Sequence, residues 1–397
     1  MVLLFLVSFS ASGQIPSVTD AEVARVHRAA FLMDTHNDLP TLMLDTGFDI
    51  ASTSNTWHTD IKRMKAGGVG AQFFVVYVAG EFTEGNRSAK RALEMIDVVR
   101  SRIVAKNQSD FVLAGFVKEI EEARKRGKIA VLIGMEGGHA IEDSLEVLRD
   151  YYALGVRYLT LTHSNTNHWA DSSGDMANNK VEHHNGLTPF GKDVVREMNR
   201  LGMLVDISHV SDKTFWDALE VSTAPVFASH SSSRAITGVA RNMTDEMIVA
   251  LAKKGGVVQA NLSCGFLSNR FREAQVAEQP KLDERIRQAS GGKKLSEIED
   301  YMLTERLRRE MSLTRASLAE FVDHIDHIKK IAGVDAVGIG SDFNGITCSP
   351  EGLDDVSQFP NLTRALLERG YTEQEITKIY SGNLLRVMRS VEAVAKK

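Results

Sequence analysis

Five residues with metal-binding side chains close four apolar stretches of the chain. They are His36 and Asp38 in Met33-Asp-Thr-His-Asn-Asp-Leu-Pro40, Glu136 in Gly134-Met-Glu-Gly-Gly138, His209 in Val205-Asp-Ile-Ser-His209 and His230 in Val226-Phe-Ala-Ser-His230. Along an extended strand residues i and i+2 share a face, so His36 and Asp38 can address one ion from the end of a single strand. Glu136 directly follows Val131-Leu-Ile-Gly-Met135. An ionised carboxylate there is costly unless it is paired or metal-bound, and its two oxygens suit it to bridge two cations. His209 and His230 then offer imidazole nitrogens to the second cation. Singly, a His-x-Asp is more often a capping or surface pair, and a lone histidine a satisfied core residue; the joint placement is what points to chemistry. Mixed nitrogen and oxygen donors favour Zn²⁺, with Mn²⁺ and Co²⁺ fitting similar sets. Two metals sharing a carboxylate suit hydrolysis, in which a hydroxide bridging the ions attacks a polarised carbonyl.

Three further polar residues fit that reaction. Asp342 closes Val337-Gly-Ile-Gly-Ser-Asp342, and His163 closes Tyr158-Leu-Thr-Leu-Thr-His163. A carboxylate beside an activated water can take its proton and pass it to a leaving amine, and an imidazole can stabilise a developing oxyanion. Helix N-capping is the plain alternative for Asp342. Arg241 follows His230 by eleven residues; it can grip a carboxylate through a bidentate pair, although its position alone fits a surface arginine. His324-Ile-Asp-His327 reads as the packing or solvated face of an outer helix, His183 and His184 fall in a polar loop, and His139 is placed to orient its loop or support a ligand.

To meet at one place, the ligands need parallel strands whose C-terminal ends share a face. Eight apolar, β-branched runs supply them: Ala30 to Thr35, Val69 to Val78, Ile129 to Gly134, Val156 to Thr162, Met203 to Ser208, Pro225 to Ser229, Gly256 to Leu262 and Ala336 to Ser341. Helix-like stretches with a 3.6-residue pattern separate them. The alternation predicts an α/β fold of the (β/α)₈ TIM-barrel type, whose active sites lie at the C-terminal ends of the strands. An open doubly wound sheet is disfavoured because no Gly-rich phosphate turn follows the first run. Ser144 and Thr188-Pro189 mark helix starts, and Gly155 and Gly202 mark helix ends. Residues 21–397 read as one catalytic domain interrupted at about 265–316 by a charged helical insertion, a length that suits a lid, an interface or a solvated hairpin.

Composition agrees with a soluble enzyme acting on a small molecule. Of the 397 residues 43% are hydrophobic and 25% charged, and 47 basic against 52 acidic side chains give a net charge of −5, no field for nucleic acid. The two cysteines, Cys264 and Cys348, form no C-x-x-C pair, exclude a zinc ribbon and leave one disulfide geometrically open. Residues 1–20 begin with a short apolar run ending in small residues, as a secretory leader does, though no basic residue precedes it. Export to the periplasm or medium is the expectation, with no stable membrane anchor, since the C-terminus carries no apolar tail.

The same residues carry a likeness. Asp34-Thr-His-Asn-Asp-Leu-Pro40, Gly134-Met-Glu-Gly-Gly-His139, Tyr158-Leu-Thr-Leu-Thr-His-Ser164, Trp169-Ala-Asp171, Ile207-Ser-His-Val-Ser211, Ser229-His-Ser-Ser232, Arg241-Asn242 and Gly340-Ser-Asp-Phe343, in that order, resemble the membrane (renal) dipeptidase family of metallopeptidases. The resemblance runs from about residue 25 to the end and implies an amidohydrolase-type barrel that hydrolyses dipeptides with two zinc ions. It implies one zinc held by His36, Asp38 and Glu136 and the other by Glu136, His209 and His230, with His163 and Arg241 binding substrate and Asp342 shuttling the proton. The sequence departs from the mammalian members in the long segment after Cys264, in lacking most of their cysteines, and in Asn344, where they have an aspartate. A soluble bacterial-type member fits best; a homodimer is compatible, their disulfide-linked one is not carried over. The rival reactions are hydrolysis of another small amide, a lactone, a β-lactam or a phosphotriester, or a deamination. Lactonases, deaminases and phosphotriesterases commonly use His-x-His on the first strand, where this chain has His-x-Asp. A non-catalytic binding protein on the same barrel is the remaining rival.

Overall fold

The computed structural model describes residues 18–53, 56–311 and 313–395. The expected leader falls on residues 1–20, almost all of it outside the described residues. Nine strands form one sheet: β1 (Leu32–Asn37), β2 (Val69–Tyr77), β3 (Phe111–Leu113), β4 (Ile129–Glu136), β5 (Val156–Thr160), β6 (Leu204–Asp206), β7 (Phe227–Ser231), β8 (Val257–Ala260) and β9 (Val337–Ile339). The order is β1-β2-β4-β5-β6-β7-β8-β9, with every pairing parallel. Asn37 bridges Phe343 in parallel, and the Asp342 amide donates to the His36 carbonyl at 3.0 Å, drawing the last strand against the first. The result is a nearly closed (β/α)₈ barrel, with the eight expected strands in the expected places.

The ninth strand is the departure from expectation. Phe111–Leu113 pairs with Ile129–Val131 at the start of β4, whereas β5 pairs with Ile133–Glu136 at its end. β2 occupies the other edge of β4. The short strand therefore completes the part of one edge that β5 is too short to reach, and three residues carry too weak a pattern to be read as a strand.

Alternation along β4 divides its side chains between two apolar clusters, Val131, Ile133 and Met135 in one and Ala130 and Leu132 in the other. The helices that clothe the barrel begin and end on capping residues the sequence marks. Ser144 Oγ accepts from the Val147 amide at 3.2 Å, Thr188 Oγ1 from the Gly191 amide at 3.2 Å, and Gly202 takes φ +82°, a conformation that costs glycine little.

Between β8 and β9 the charged insertion folds as a hairpin of two helices, Asn269–Ser290 and Glu297–Glu310, turning at Gly291 and Gly292, both of positive φ. Its base is strapped. Cys264 and Cys348 form a disulfide across 84 residues of sequence, joining the residue where the insertion leaves the barrel to the loop after β9. At the exit Arg315 donates to the carbonyls of Ser349 and Pro350 at 2.9 Å each. His324 is a completely buried packing residue: its Nδ1 accepts from the Ser233 amide and its Nε2 donates to the Leu267 carbonyl, at 3.0 and 3.1 Å. His327 instead pairs with Asp245 at 2.8 Å. Closing so long a loop should stabilise the fold by about 2–4 kcal/mol. Replacing both cysteines by serine is expected to lower the unfolding free energy by that amount, read from denaturant titrations with and without reductant.

Candidate metal centre

At the C-terminal mouth of the barrel the five proposed ligands meet. His36 is completely buried, and Asp38, Glu136 and His230 nearly so, with His209 partly covered. His36 Nε2 lies 3.5 Å from both Asp38 Oδ2 and Glu136 Oε2. The other oxygen, Glu136 Oε1, lies 3.0 Å from His209 Nε2 and 3.2 Å from His230 Nε2. One carboxylate thus faces two donor sets, His36-Asp38-Glu136 and Glu136-His209-His230, each with its donor atoms within 4.8 Å of one another.

Tethers behind the imidazoles settle which nitrogen faces the centre. Tyr158 Oη donates to the Thr35 carbonyl at 3.1 Å and therefore accepts from His36 Nδ1 at 3.0 Å. On the other side Asp206 Oδ2 accepts from Ser229 Oγ at 2.6 Å, so Ser229 accepts from His230 Nδ1 at 2.7 Å. Asp206 also receives Thr160 Oγ1 and the amides of Ser208 and Ser229. With Nδ1 of His36 and of His230 engaged in this way, Nε2 of each ring is the nitrogen that faces the centre. His36 Nε2, Asp38 Oδ1 and Glu136 Oε1 are buried without a hydrogen-bond partner. Lone pairs packed this closely repel unless a proton or a cation stands among them, and the donor set fits a metal.

The backbone is bent to aim two of these side chains. His209 and Asp342 adopt φ +68° and +64°, a left-handed conformation that non-glycine residues rarely hold outside constrained sites. Asp342 belongs to a third grouping with His36 and His230 and accepts from Asn261 Nδ2 at 2.8 Å. Burial, with the nearby Asp38 and Glu136 adding to it against His36, carries its carboxyl up to about 7. His163 sits with its ring 4.5 Å from that of His209 and 4.6 Å from that of Tyr77, and burial pushes its pKa down to about 4, leaving it neutral near pH 7. Arg241 donates to Ser231 Oγ and to the His230 carbonyl at 2.8 Å each, which places it beside the ligand rather than on the surface. Its Nε is buried without a partner.

A cavity of about 350 Å³ opens over this cluster, lined by Asp38, Glu136, His163, His209 and Asp342 among others. That size suits a small ligand. His183 and His184 lie outside it; His184 Nε2 donates to the Asn167 carbonyl at 2.8 Å. His139 is likewise set back, its Nε2 bonded to the Val78 carbonyl at 2.9 Å. Asn344, at the position where the sequence departs from its mammalian pattern, donates Nδ2 to Asn37 Oδ1 and Thr59 Oγ1 at 2.9 Å each and accepts the His58 amide, so the amide meets the local hydrogen bonding.

A family model described as membrane dipeptidase, peptidase family M19, matches residues 20–397. The chain belongs to this family. It is 36% identical over 371 residues to mouse dipeptidase 3, covering 92% of this chain but 65% of the mouse protein, so it spans slightly less than two thirds of that relative. An uncharacterized dipeptidase of Schizosaccharomyces pombe is 36% identical over 383 residues, 92% of this chain and 82% of that one. In fold, the chain matches the crystal structure of the probable dipeptidase PvdM from Pseudomonas aeruginosa with a TM-score of 0.79 at 24% identity, over 94% of this chain and 98% of the other.

Reading the sequence for ligands missed the groups behind them: Asn261 on Asp342, Tyr158 on His36, and Ser229 with Asp206 on His230. Asp206 carried a signal, an acid inside the apolar run from Met203 to Ser208. Removing the Ser229 hydroxyl frees the His230 ring, and Ser229→Ala is expected to lower metal affinity about 10-fold or more. Competition with a chelator measures it. The raised Asp342 carboxyl has a pH consequence for the metal-free protein. Its folded value of about 7 exceeds that of an unfolded aspartate, so stability falls as pH rises from about 4 to 7 and levels off above. Asp342→Asn should flatten that slope in urea titrations across the range.

Proposed function

We propose that this chain is a dipeptidase that binds two zinc ions. The observation that carries the reading is the placement of Glu136, one oxygen toward His36 and the other toward His209 and His230. His36, Asp38 and Glu136 would hold one ion and Glu136, His209 and His230 the other. When bound, the ions would polarise the scissile carbonyl and activate the attacking water.

The remaining steps belong to the protein. Asp342, a buried carboxyl grouped with His36 and His230, can take the proton of the attacking water and deliver it to the departing amine. Asn261 holds that carboxyl in place. His163, neutral because it is buried, can donate a hydrogen bond to the tetrahedral oxyanion without adding a second positive charge. Arg241 presents a fixed guanidinium beside His230, suited to the free C-terminal carboxylate of a dipeptide.

Export fits the same reading. The apolar start of the chain supports it, as does the Cys264–Cys348 disulfide, a bond that persists in oxidising compartments.

Asp342→Asn is expected to lower kcat about 100- to 10,000-fold while the purified protein keeps two metal ions per chain by elemental analysis. Unchanged turnover would remove Asp342 from the mechanism, and a single ion would require a new role for Glu136. Arg241→Met should raise KM for a dipeptide about 10- to 100-fold, and much less for its C-terminal amide.

A further inference from the structure

The hairpin brings two side chains to the catalytic cavity that the reaction above does not use. Tyr301 and Arg308 stand seven residues apart on the helix Glu297–Glu310, hence on one face, and both line the cavity. Each is anchored to the loop after β9, Tyr301 Oη donating to the Ile346 carbonyl at 3.0 Å and Arg308 Nη1 to Thr347 Oγ1. Arg308 and Thr347 also line an adjoining cavity of about 440 Å³, so the guanidinium stands in the partition between two spaces. Its Nε is buried with no hydrogen-bond partner.

Charge gives this position its meaning. Among the described residues lining the catalytic cavity, Asp38, Asp45, Glu136 and Asp342 are acidic and Arg308 is the one arginine or lysine, Arg241 standing behind the lining on the His230 carbonyl. Asp45 is already paired with Arg91 at 2.6 Å, and the other three carboxylates belong to the reaction centre. Burial works against the charge of Arg308, and Glu305, Asp300 and Asp283 on the hairpin favour its charged form. A substrate side chain reaching the hairpin wall therefore meets a guanidinium, whose planar fork matches a carboxylate.

We infer that Arg308 is a specificity-determining residue that selects dipeptides bearing an acidic side chain. The inference rests on the dipeptidase reading for its substrate class but not for its binding chemistry. A purely structural arginine, tying the hairpin to Thr347, would affect acidic and neutral peptides alike.

The test compares near-isosteric pairs, Ala-Glu with Ala-Gln and Glu-Ala with Gln-Ala. It uses the metal-loaded parent, Arg308→Met and Arg308→Lys. The ratio of kcat/KM within each pair is read, so a general loss of folding or metal cancels. Dissociation constants of the same peptides, taken by calorimetry on Asp342→Asn forms, give the ratio without turnover. The parent should favour the acidic member of at least one pair. Arg308→Met should lower that ratio about 10- to 100-fold, the size of one charge-assisted hydrogen bond, and Arg308→Lys should restore part of it. Hydrolysis with ratios that stay within about two-fold in Arg308→Met overturns the role of Arg308 alone. Discrimination in binding with no hydrolysis of any peptide overturns the dipeptidase reading and sustains Arg308; neither hydrolysis nor discrimination overturns both.

Discussion

Everything at the barrel mouth answers to one electrostatic constraint: electron-pair donors of five side chains are gathered away from water around a single carboxylate. Burial alone would drive such a group of acids and imidazoles to change protonation state. Here burial lowers the proton affinity of His36, but Glu136 and Asp38 outweigh it and hold His36 well above the usual imidazole range. Burial opposes ionisation of Glu136, yet His36 and His209 keep it well below the usual carboxylate range. The protein thus keeps charge and countercharge together in a buried cluster, an arrangement that a cation can enter by displacing a proton.

The barrel is the means of meeting that constraint. Parallel strands deliver their last residues to one rim, so side chains from β1, β4 and β7 and from the loop after β6 converge although nearly two hundred residues separate the first from the last. Precision comes from the groups behind them. Tyr158, Ser229 and Asp206 set which nitrogen of His36 and His230 faces the centre, Asn261 holds Asp342, and the left-handed backbones of His209 and Asp342 turn side chains that regular strand geometry would misdirect.

The five clustered donors were legible in the sequence because strand-end acids and histidines break an apolar pattern, and the eight principal strands because their β-branched runs are long. The supporting groups were not, since a serine or an asparagine in a buried strand end looks the same whether it holds a ligand or merely satisfies backbone. Phe111–Leu113 was too short to announce itself, and its pairing with half of one edge of β4 depends on where β5 begins. The insertion was legible as two charged helices with a Gly-Gly turn, but not its docking, because the anchors at Ile346, Thr347 and Cys348 lie in a loop about forty residues further on.

That docking separates two kinds of change in evolution. The hairpin enters and leaves at points strapped to neighbouring loops, and none of the five clustered donors lies between them. Its helices form a cassette: they can drift, lengthen or be exchanged, altering what reaches the rim, while the donors stay on strands and loops that the exchange does not touch. A lineage with this architecture can diversify its substrates without rebuilding its chemistry.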